Sequence, residues 1–264
     1  MIPMIRWELR RRRNFTIWWT IGITALIGFT VLTYGSVREQ SAELNKAFGD
    51  LSSDIGSFVG TTDMFSPVGY LNSQLFFITL PILFIILSAT LASGLLGKEE
   101  NNRTLEVLLS RPISRTKLLA AKGFSGMTIL LTIGLLATLV TIACSYAVSM
   151  DISAVNLLIA GLAAALFSGA FGAISFMLYA ASLATRRLAM LAAIVLSLGS
   201  YLITSLSGMV DWLETPAKFL PYHYYDPNTF LNGNIPSGFI WYTAGIYVVS
   251  AVIAVIGFRR RDIA

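Results

Sequence analysis

The stretch GKEENNRTLEVLLSRPISRTKLLAAK, residues 97–122, is the longest charged segment between two apolar runs of this chain. It holds six Lys or Arg residues and three glutamates, and the sequence on both sides of it is almost free of charge. Loops rich in Lys and Arg that connect membrane spans lie on the cytoplasmic side. The stretch therefore predicts a cytoplasmic loop with a membrane span on either side.

The order of residues in this loop predicts a short helix, a break and a second helix. Thr104 is a favourable N-cap, and the leucines that follow it share one apolar face. Pro112 prevents a smooth continuation of that helix. Ser114 then caps a second helix that runs through Lys117 towards the membrane. This shape suits docking to a cytoplasmic partner, although the charge alone is equally typical of a solvated loop.

The composition indicates a protein that lies largely in lipid. Of 264 residues, 55% are hydrophobic and 12% are charged, and the mean hydropathy is +0.71. A soluble domain carries about 25% charged residues. The net charge of +5 does not indicate a nucleic-acid partner, because the basic residues flank apolar runs, as membrane topology requires.

Residue content also limits the chemistry of this chain. Cys144 is the only cysteine and His223 the only histidine, and no Gly-x-x-x-x-Gly-Lys-[Ser/Thr] phosphate loop occurs. We therefore expect no catalytic residue, no cofactor site and no metal site, and we interpret His223 as a hydrogen-bonding loop residue. If ATP drives this protein, ATP and Mg²⁺ bind another chain.

Six apolar runs are long enough to cross a membrane, which takes about 20 residues in a helix. Pro81 predicts a kink in the second run, and apolar residues at helical spacing from Leu44 to Phe58 predict an amphipathic helix in the first outer loop. We expect an all-α integral membrane protein that forms a single transmembrane domain over residues 1–264. The predicted spans are residues 15–35, 70–96, 124–150, 157–185, 188–210 and 239–258.

The charge distribution orients these spans. Sixteen of the 19 Lys and Arg residues fall before span 1, in the 98–122 loop, at Arg186–Arg187 or after span 6. Only Arg38, Lys46 and Lys218 fall in the opposite segments, which hold nine of the 14 acidic residues. The positive-inside rule therefore predicts that both termini are cytoplasmic.

The basic N-terminus, residues 1–14, is mildly amphipathic and predicts a helix at the cytoplasmic membrane surface. Its candidate interfacial residues are Arg6, Trp7 and Glu8. The arginines that follow would also be explained as a plain topology signal. A signal peptide is not favoured, because the apolar run is about 20 residues long and no small-x-small cleavage site follows it.

The predicted spans contain no Asp, Glu, Lys, Arg or His, which argues against a proton- or sodium-coupled carrier. Small residues recur at every fourth position from Gly161 to Ala173 in span 4 and from Ala189 to Ser197 in span 5. Such stripes allow close helix packing. Packing within one chain is favoured over packing across a dimer interface.

The last outer loop, residues 211–238, is rich in proline and aromatic residues. One interpretation is a gate over an outer exit, and the other is an aromatic belt that seats the loop at the membrane interface. The candidate gate residues are Tyr222, His223, Tyr224 and Tyr225.

The 98–122 loop resembles the cytoplasmic coupling loop in permeases of type-2 ATP-binding-cassette (ABC) transporters. That loop follows the second span and reads approximately as an acidic residue, three others, Gly-Thr-Leu-Glu, one other, Leu-Leu-Ser, one other and Pro-Ile-Ser-Arg. This chain has Arg103 in place of the usual Gly. Residues 219–227 resemble the segment before the last span in the same family. The residues that the resemblance assigns to ATPase coupling are Glu99, Glu100, Thr104, Leu105, Glu106, Leu108, Leu109, Ser110, Pro112, Ser114 and Arg115.

The resemblance implies a permease subunit of an ATP-driven exporter in the plasma membrane of a bacterium or archaeon. Two permease chains, identical or homologous, would form the pathway, and two cytoplasmic ABC ATPase subunits would bind ATP and push the coupling helix. Related permeases also carry an N-terminal interfacial helix, often with a Glu near the position of Glu8. The alternatives are a membrane scaffold or assembly protein and, with less support from the charge-free spans, an ATP-independent channel or carrier.

Overall fold

Long apolar runs make this chain helical. The computed structural model describes residues 1–38, 61, 64–97, 114–181 and 188–260, and these residues form helices and no strand. Helices satisfy their own backbone hydrogen bonds, which a lipid environment demands. The predicted all-α fold with six spans is confirmed. The six helices that are long and apolar enough to cross a membrane are Arg13–Arg38, Pro67–Gly97, Arg115–Ala147, Ala154–Ala181, Ala189–Leu206 and Ser237–Arg260.

Span 3 differs most from its predicted bounds. The helix begins at Arg115 and not at residue 124. Ser114 caps it as predicted, since its Oγ accepts a hydrogen bond from the backbone N–H of Lys117 at 3.4 Å. The predicted second helix of the loop and span 3 are therefore one continuous helix, and Lys122 lies inside it.

Span 2 is irregular, and the kink predicted at Pro81 stays a prediction. Its α-helical parts, Pro67–Leu71 and Thr79–Ala92, are separated by a π-helical turn at Asn72–Phe76, and a second π-helical turn, Ser93–Gly97, ends the span. Pro81 has no N–H, so the regular hydrogen-bond ladder is broken near it. The irregular turns leave backbone carbonyls available to side chains of other elements.

Span 4 lies at the centre of the bundle and packs against spans 2, 3, 5 and 6. A Cβ on Gly161 would overlap the side chain of Thr138 in span 3, so only glycine allows this approach. Ala165 is fully buried, and a Cβ on Gly134 of span 3 would meet the Ala165 Cβ at 2.9 Å. In span 5, Ala193 is fully buried. The small-residue stripes therefore serve packing within the chain.

The segments outside the spans gather at two ends of the bundle. We define the basic end by the N-terminal helix Ile2–Arg11 and by Gly97, Ser114 and Arg260. The opposite end carries the last interspan segment, which is anchored to span 4 where the Asn156 side chain donates to the Leu231 carbonyl at 2.9 Å. The short helices of this segment are Asp211–Leu213, Glu214–Ala217, Pro221–Tyr224 and Pro227–Leu231.

Several predicted features lie outside the described residues. They are the coupling helix with its residues 99–112, the amphipathic helix at 44–58 and the basic turn at 186–187.

Candidate functional site

The N-terminal helix meets span 3 through a buried ion pair. Lys122 Nζ donates to Glu8 Oε1 at 3.1 Å. The exposed fraction is 3% for Glu8 and 2% for Lys122. A charge buried this deeply is costly unless it is paired and hydrogen-bonded, so the two side chains depend on one another.

Lys122 also reaches span 2. Its Nζ donates to the backbone carbonyl of Leu95 at 2.8 Å. Leu95 belongs to the π-helical turn Ser93–Gly97 that ends span 2. At a helix end, the last carbonyls receive no hydrogen bond from the N–H groups of a following turn. One ammonium group therefore holds the N-terminal helix, the end of span 2 and the start of span 3 together.

Arg12 is the second cation that contacts Glu8. Its Nε donates to Glu8 Oε2 at 3.4 Å, which places a second cation on the same carboxylate. Its guanidinium lies over Gly94, where a Cβ would come within 2.5 Å of Arg12 Nη1. Glycine at this position leaves room for the arginine. We call Glu8, Arg12, Lys122 and the Leu95 carbonyl the ionic junction.

The ionic junction lies close to both ends, or roots, of the 98–113 segment, which itself lies outside the described residues. Leu95 is two residues before Gly97, where the described part of span 2 ends. Lys122 lies about two helical turns after Ser114, where the chain re-enters the described structure. Through Lys122, the residues on both sides of this segment are connected to the N-terminal helix.

The predicted interfacial residues face in different directions. Arg6 and Trp7 are exposed, and Arg11 lies over the Trp7 ring with its guanidinium carbon 5.0 Å from the ring centroid. Glu8 points the other way, into the bundle. The helix thus presents an aromatic and basic side outward and a carboxylate inward.

The sequence pattern places Lys122 in the 98–122 loop, outside the predicted span 3. The structure places it within span 3 and buries it, because Glu8 and the Leu95 carbonyl satisfy its charge. The separation of Glu8 from Arg12 by four residues is typical of a helical ion pair, but nothing in the sequence relates Glu8 to Lys122.

Two of the residues assigned to ATPase coupling are described. Ser114 is exposed and caps span 3. Arg115 Nη1 donates to the backbone carbonyl of Arg259 at 3.4 Å, which joins the start of span 3 to the end of span 6. The remaining coupling residues, Glu99, Glu100, Thr104, Leu105, Glu106, Leu108, Leu109, Ser110 and Pro112, lie outside the described residues.

Two of the candidate gate residues are core residues at the opposite end. The Tyr225 ring stacks on Phe167 with centroids 4.2 Å apart, and its hydroxyl donates to the Phe76 carbonyl at 2.8 Å. The Tyr222 N–H donates to Ser200 Oγ at 2.9 Å. Burial raises the pKa of Tyr222 and of Tyr225, because it disfavours the charged phenolate form.

The other two candidates lie further out. His223 is exposed, and its ring meets Tyr224 edge to face with centroids 5.1 Å apart. Tyr224 stacks on Tyr242 of span 6 at 4.3 Å. The four residues therefore form a buried pair and an outer pair, and the gate stays a prediction. In the described part of the chain, no three His, Cys, Asp or Glu residues come together as a metal site.

One of three comparisons with known proteins identifies a family for this chain. A search of curated proteins and a search of solved structures each found no significant match. A family model described as ABC-2 family transporter protein matches residues 4–262, which is nearly the whole chain. The six helices that are long and apolar enough to cross a membrane agree with a family of transporter proteins. This chain therefore belongs to the ABC-2 family of transporter proteins and is a membrane permease of an ABC transporter.

Proposed function

We propose that this permease is the membrane subunit of an ATP-driven exporter. In this proposal two permease chains form the pathway, and two cytoplasmic ABC ATPase subunits supply the energy by hydrolysing Mg-ATP. Both termini and the 98–122 loop face the cytoplasm, in the plasma membrane of a bacterium or archaeon. Because no Gly-x-x-x-x-Gly-Lys-[Ser/Thr] phosphate loop occurs in the sequence, we assign the nucleotide sites to the ATPase subunits.

The ionic junction is the observation that carries the proposal. A loop that transmits force has to be tied at both roots to elements that move, and here Lys122 connects both roots to the N-terminal helix. A solvated connector needs no buried ion pair at its base, and burying these charges has a desolvation cost.

The proposed transmission runs from the loop into the spans. The apolar face of the 104–110 segment would enter a groove on the ATPase, in the manner of other amphipathic helices. ATP-driven closure of the ATPase pair would displace the loop roots, and the rigid connection through Lys122 would tilt spans 2 and 3 together with the N-terminal helix.

Isolation of the intact complex tests this function. The tagged chain is purified from its native membranes in mild detergent and examined for associated subunits and for Mg-ATP hydrolysis. We expect a stoichiometric subunit that carries a phosphate-binding loop, and ATP hydrolysis that depends on it. A complex that contains no nucleotide-binding subunit would refute the proposal and favour the scaffold alternative.

A further inference from the structure

A cavity of about 420 Å³ lies between spans 2, 3, 4 and 6, and the described residues that line it include no charged side chain. Four glycines contribute to its wall, two from span 3 and two from span 4. Leu95 lies in the wall from span 2, and Tyr247 and Ala254 lie in it from span 6. The lining glycines are Gly123, Gly126, Gly169 and Gly172.

The depth of the cavity matches one leaflet of a bilayer. Its lining residues in span 3 run from Leu119 to Leu130, which at 1.5 Å per residue is about 17 Å of helix. Half of a hydrocarbon core of about 30 Å is about 15 Å. Leu119 lies about one helical turn from Arg115, so the cavity occupies the leaflet at the basic end.

The lining residues are mostly apolar, and most of their hydroxyl groups are hydrogen-bonded within the protein. Two of the three side-chain hydroxyls in the lining are bonded inside the protein, because Tyr247 donates to the Leu166 carbonyl at 2.9 Å and Ser88 donates to the Ser168 carbonyl at 3.1 Å. Water inside a protein needs two to four polar partners. A hydrocarbon chain needs none and gains dispersion contacts with the whole wall.

The cavity opens sideways between spans 3 and 6. Phe124 of span 3 and Ala251 of span 6 line it and are also exposed on the surface of the bundle. In a transmembrane protein this surface faces lipid. A lipid chain could therefore enter from the membrane without crossing the protein.

Cations collect at the basic end of the same opening. Arg115 donates a hydrogen bond to the Arg259 carbonyl at 3.4 Å, and this contact joins spans 3 and 6 at the basic end. Lys117, Arg259 and Arg260 are exposed beside this contact. Among the described residues, the only acidic side chain at the basic end is Glu8, which is engaged with Lys122 and Arg12. An anionic headgroup would be favoured at this position.

We infer that the cavity binds one acyl chain of an anionic phospholipid from the leaflet at the basic end, with the headgroup phosphate beside Lys117 and Arg259. The chain lies along span 3 and contacts Leu95, the residue whose carbonyl holds Lys122. The binding site does not depend on the proposed ATPase coupling, because it uses only the spans of this chain.

Native mass spectrometry of the purified protein tests this inference, with phosphatidylglycerol and phosphatidylcholine as the lipid probes. We expect one phosphatidylglycerol per chain to survive delipidation. Gly123→Leu fills the cavity, where a Cβ would lie 3.8 Å or more from its nearest neighbour in Phe176, and should weaken retention at least tenfold. Ala251→Leu should act in the same way from the exposed mouth, where it cannot disturb the buried core.

A control variant and a headgroup variant complete the test. Gly245→Leu adds the same side chain in span 6 at a site with no atom within 4 Å and outside the cavity, and it should leave retention unchanged. The double variant Lys117→Gln, Arg259→Gln should reduce phosphatidylglycerol retention to the level of phosphatidylcholine. Equal retention by Ala251→Leu and the unaltered protein would overturn the site, and equal retention of both lipids by the unaltered protein would overturn the headgroup assignment.

Discussion

At the residue scale, the ionic junction shows how one lysine can serve three elements. Lys122 carries a charge in a helix that is otherwise apolar over most of its length, and it is tolerated because Glu8 and the Leu95 carbonyl surround its ammonium group. A buried charge that loses its partner is destabilising, whereas loss of both charges together is much less so. This difference makes the junction testable by a double-mutant cycle.

We predict that Glu8→Gln lowers the free energy of unfolding by about 3–5 kcal/mol, because it leaves the buried Lys122 charge without a carboxylate. Lys122→Met should lower it by less, because Arg12 still pairs with Glu8. The double variant should lose less than the sum of the two. Unfolding in mixed detergent micelles measures both quantities. Lys117→Met, on the exposed surface of the same helix, is the control and should change stability by no more than about 0.5 kcal/mol. Strictly additive losses would mean that Glu8 and Lys122 do not interact.

At the element scale, span 4 depends on small side chains for its central position. We predict that Gly161→Leu destabilises the protein by about 1–3 kcal/mol, because any Cβ at this position overlaps Thr138 of span 3. Gly199→Leu in span 5 is a matched control, since no atom lies within 4 Å of its added Cβ. Thermal unfolding of the two variants in one detergent compares them. Equal melting temperatures would contradict the close contact of spans 3 and 4.

The proposed coupling helix is the second element with a clear test. We predict that Leu109→Asp abolishes co-purification of the ATPase or transport-coupled ATP hydrolysis, because an unpaired carboxylate in an apolar contact costs several kcal/mol. Membrane insertion should stay normal, since the spans are unchanged. Lys117→Ala should have much less effect. Full assembly and full transport by the Leu109→Asp variant would show that this loop is only a solvated connector.

At the scale of the whole molecule, the basic end has to face the cytoplasm for the proposed function. In a Cys144→Ser background, single cysteines at Ser53 and Ser237 should react with an impermeant thiol reagent in intact cells. Cysteines at Ser114 and Thr185 should react only after the membrane is opened. Labelling of Ser114 from outside would invert the orientation and remove the ATPase from reach of the loop.

The second prediction at this scale concerns assembly. One six-span chain supplies half of the pathway that the family resemblance implies, so we predict two permease chains in the active complex. The mass of a nanodisc-embedded, ATP-hydrolysing complex measures the number of copies. An active complex with a single permease chain would contradict this prediction.

The sequence by itself determined the six spans, their approximate bounds and the family. Apolar runs of sufficient length are local properties, and Ser114 was recognisable as a cap for the same reason. The coupling pattern is also local, because its residues lie within one short loop.

Only the tertiary structure decided which residues meet. Glu8 and Lys122 are 114 positions apart, and Tyr225 and Phe76 are 149 apart, so their pairing depends on how the spans pack. The sequence alone does not distinguish a lysine that follows the positive-inside rule beside an apolar run from one that forms a buried ion pair. The difference lies in the carboxylate and the carbonyl that packing brings to it, because these allow its charge to leave water.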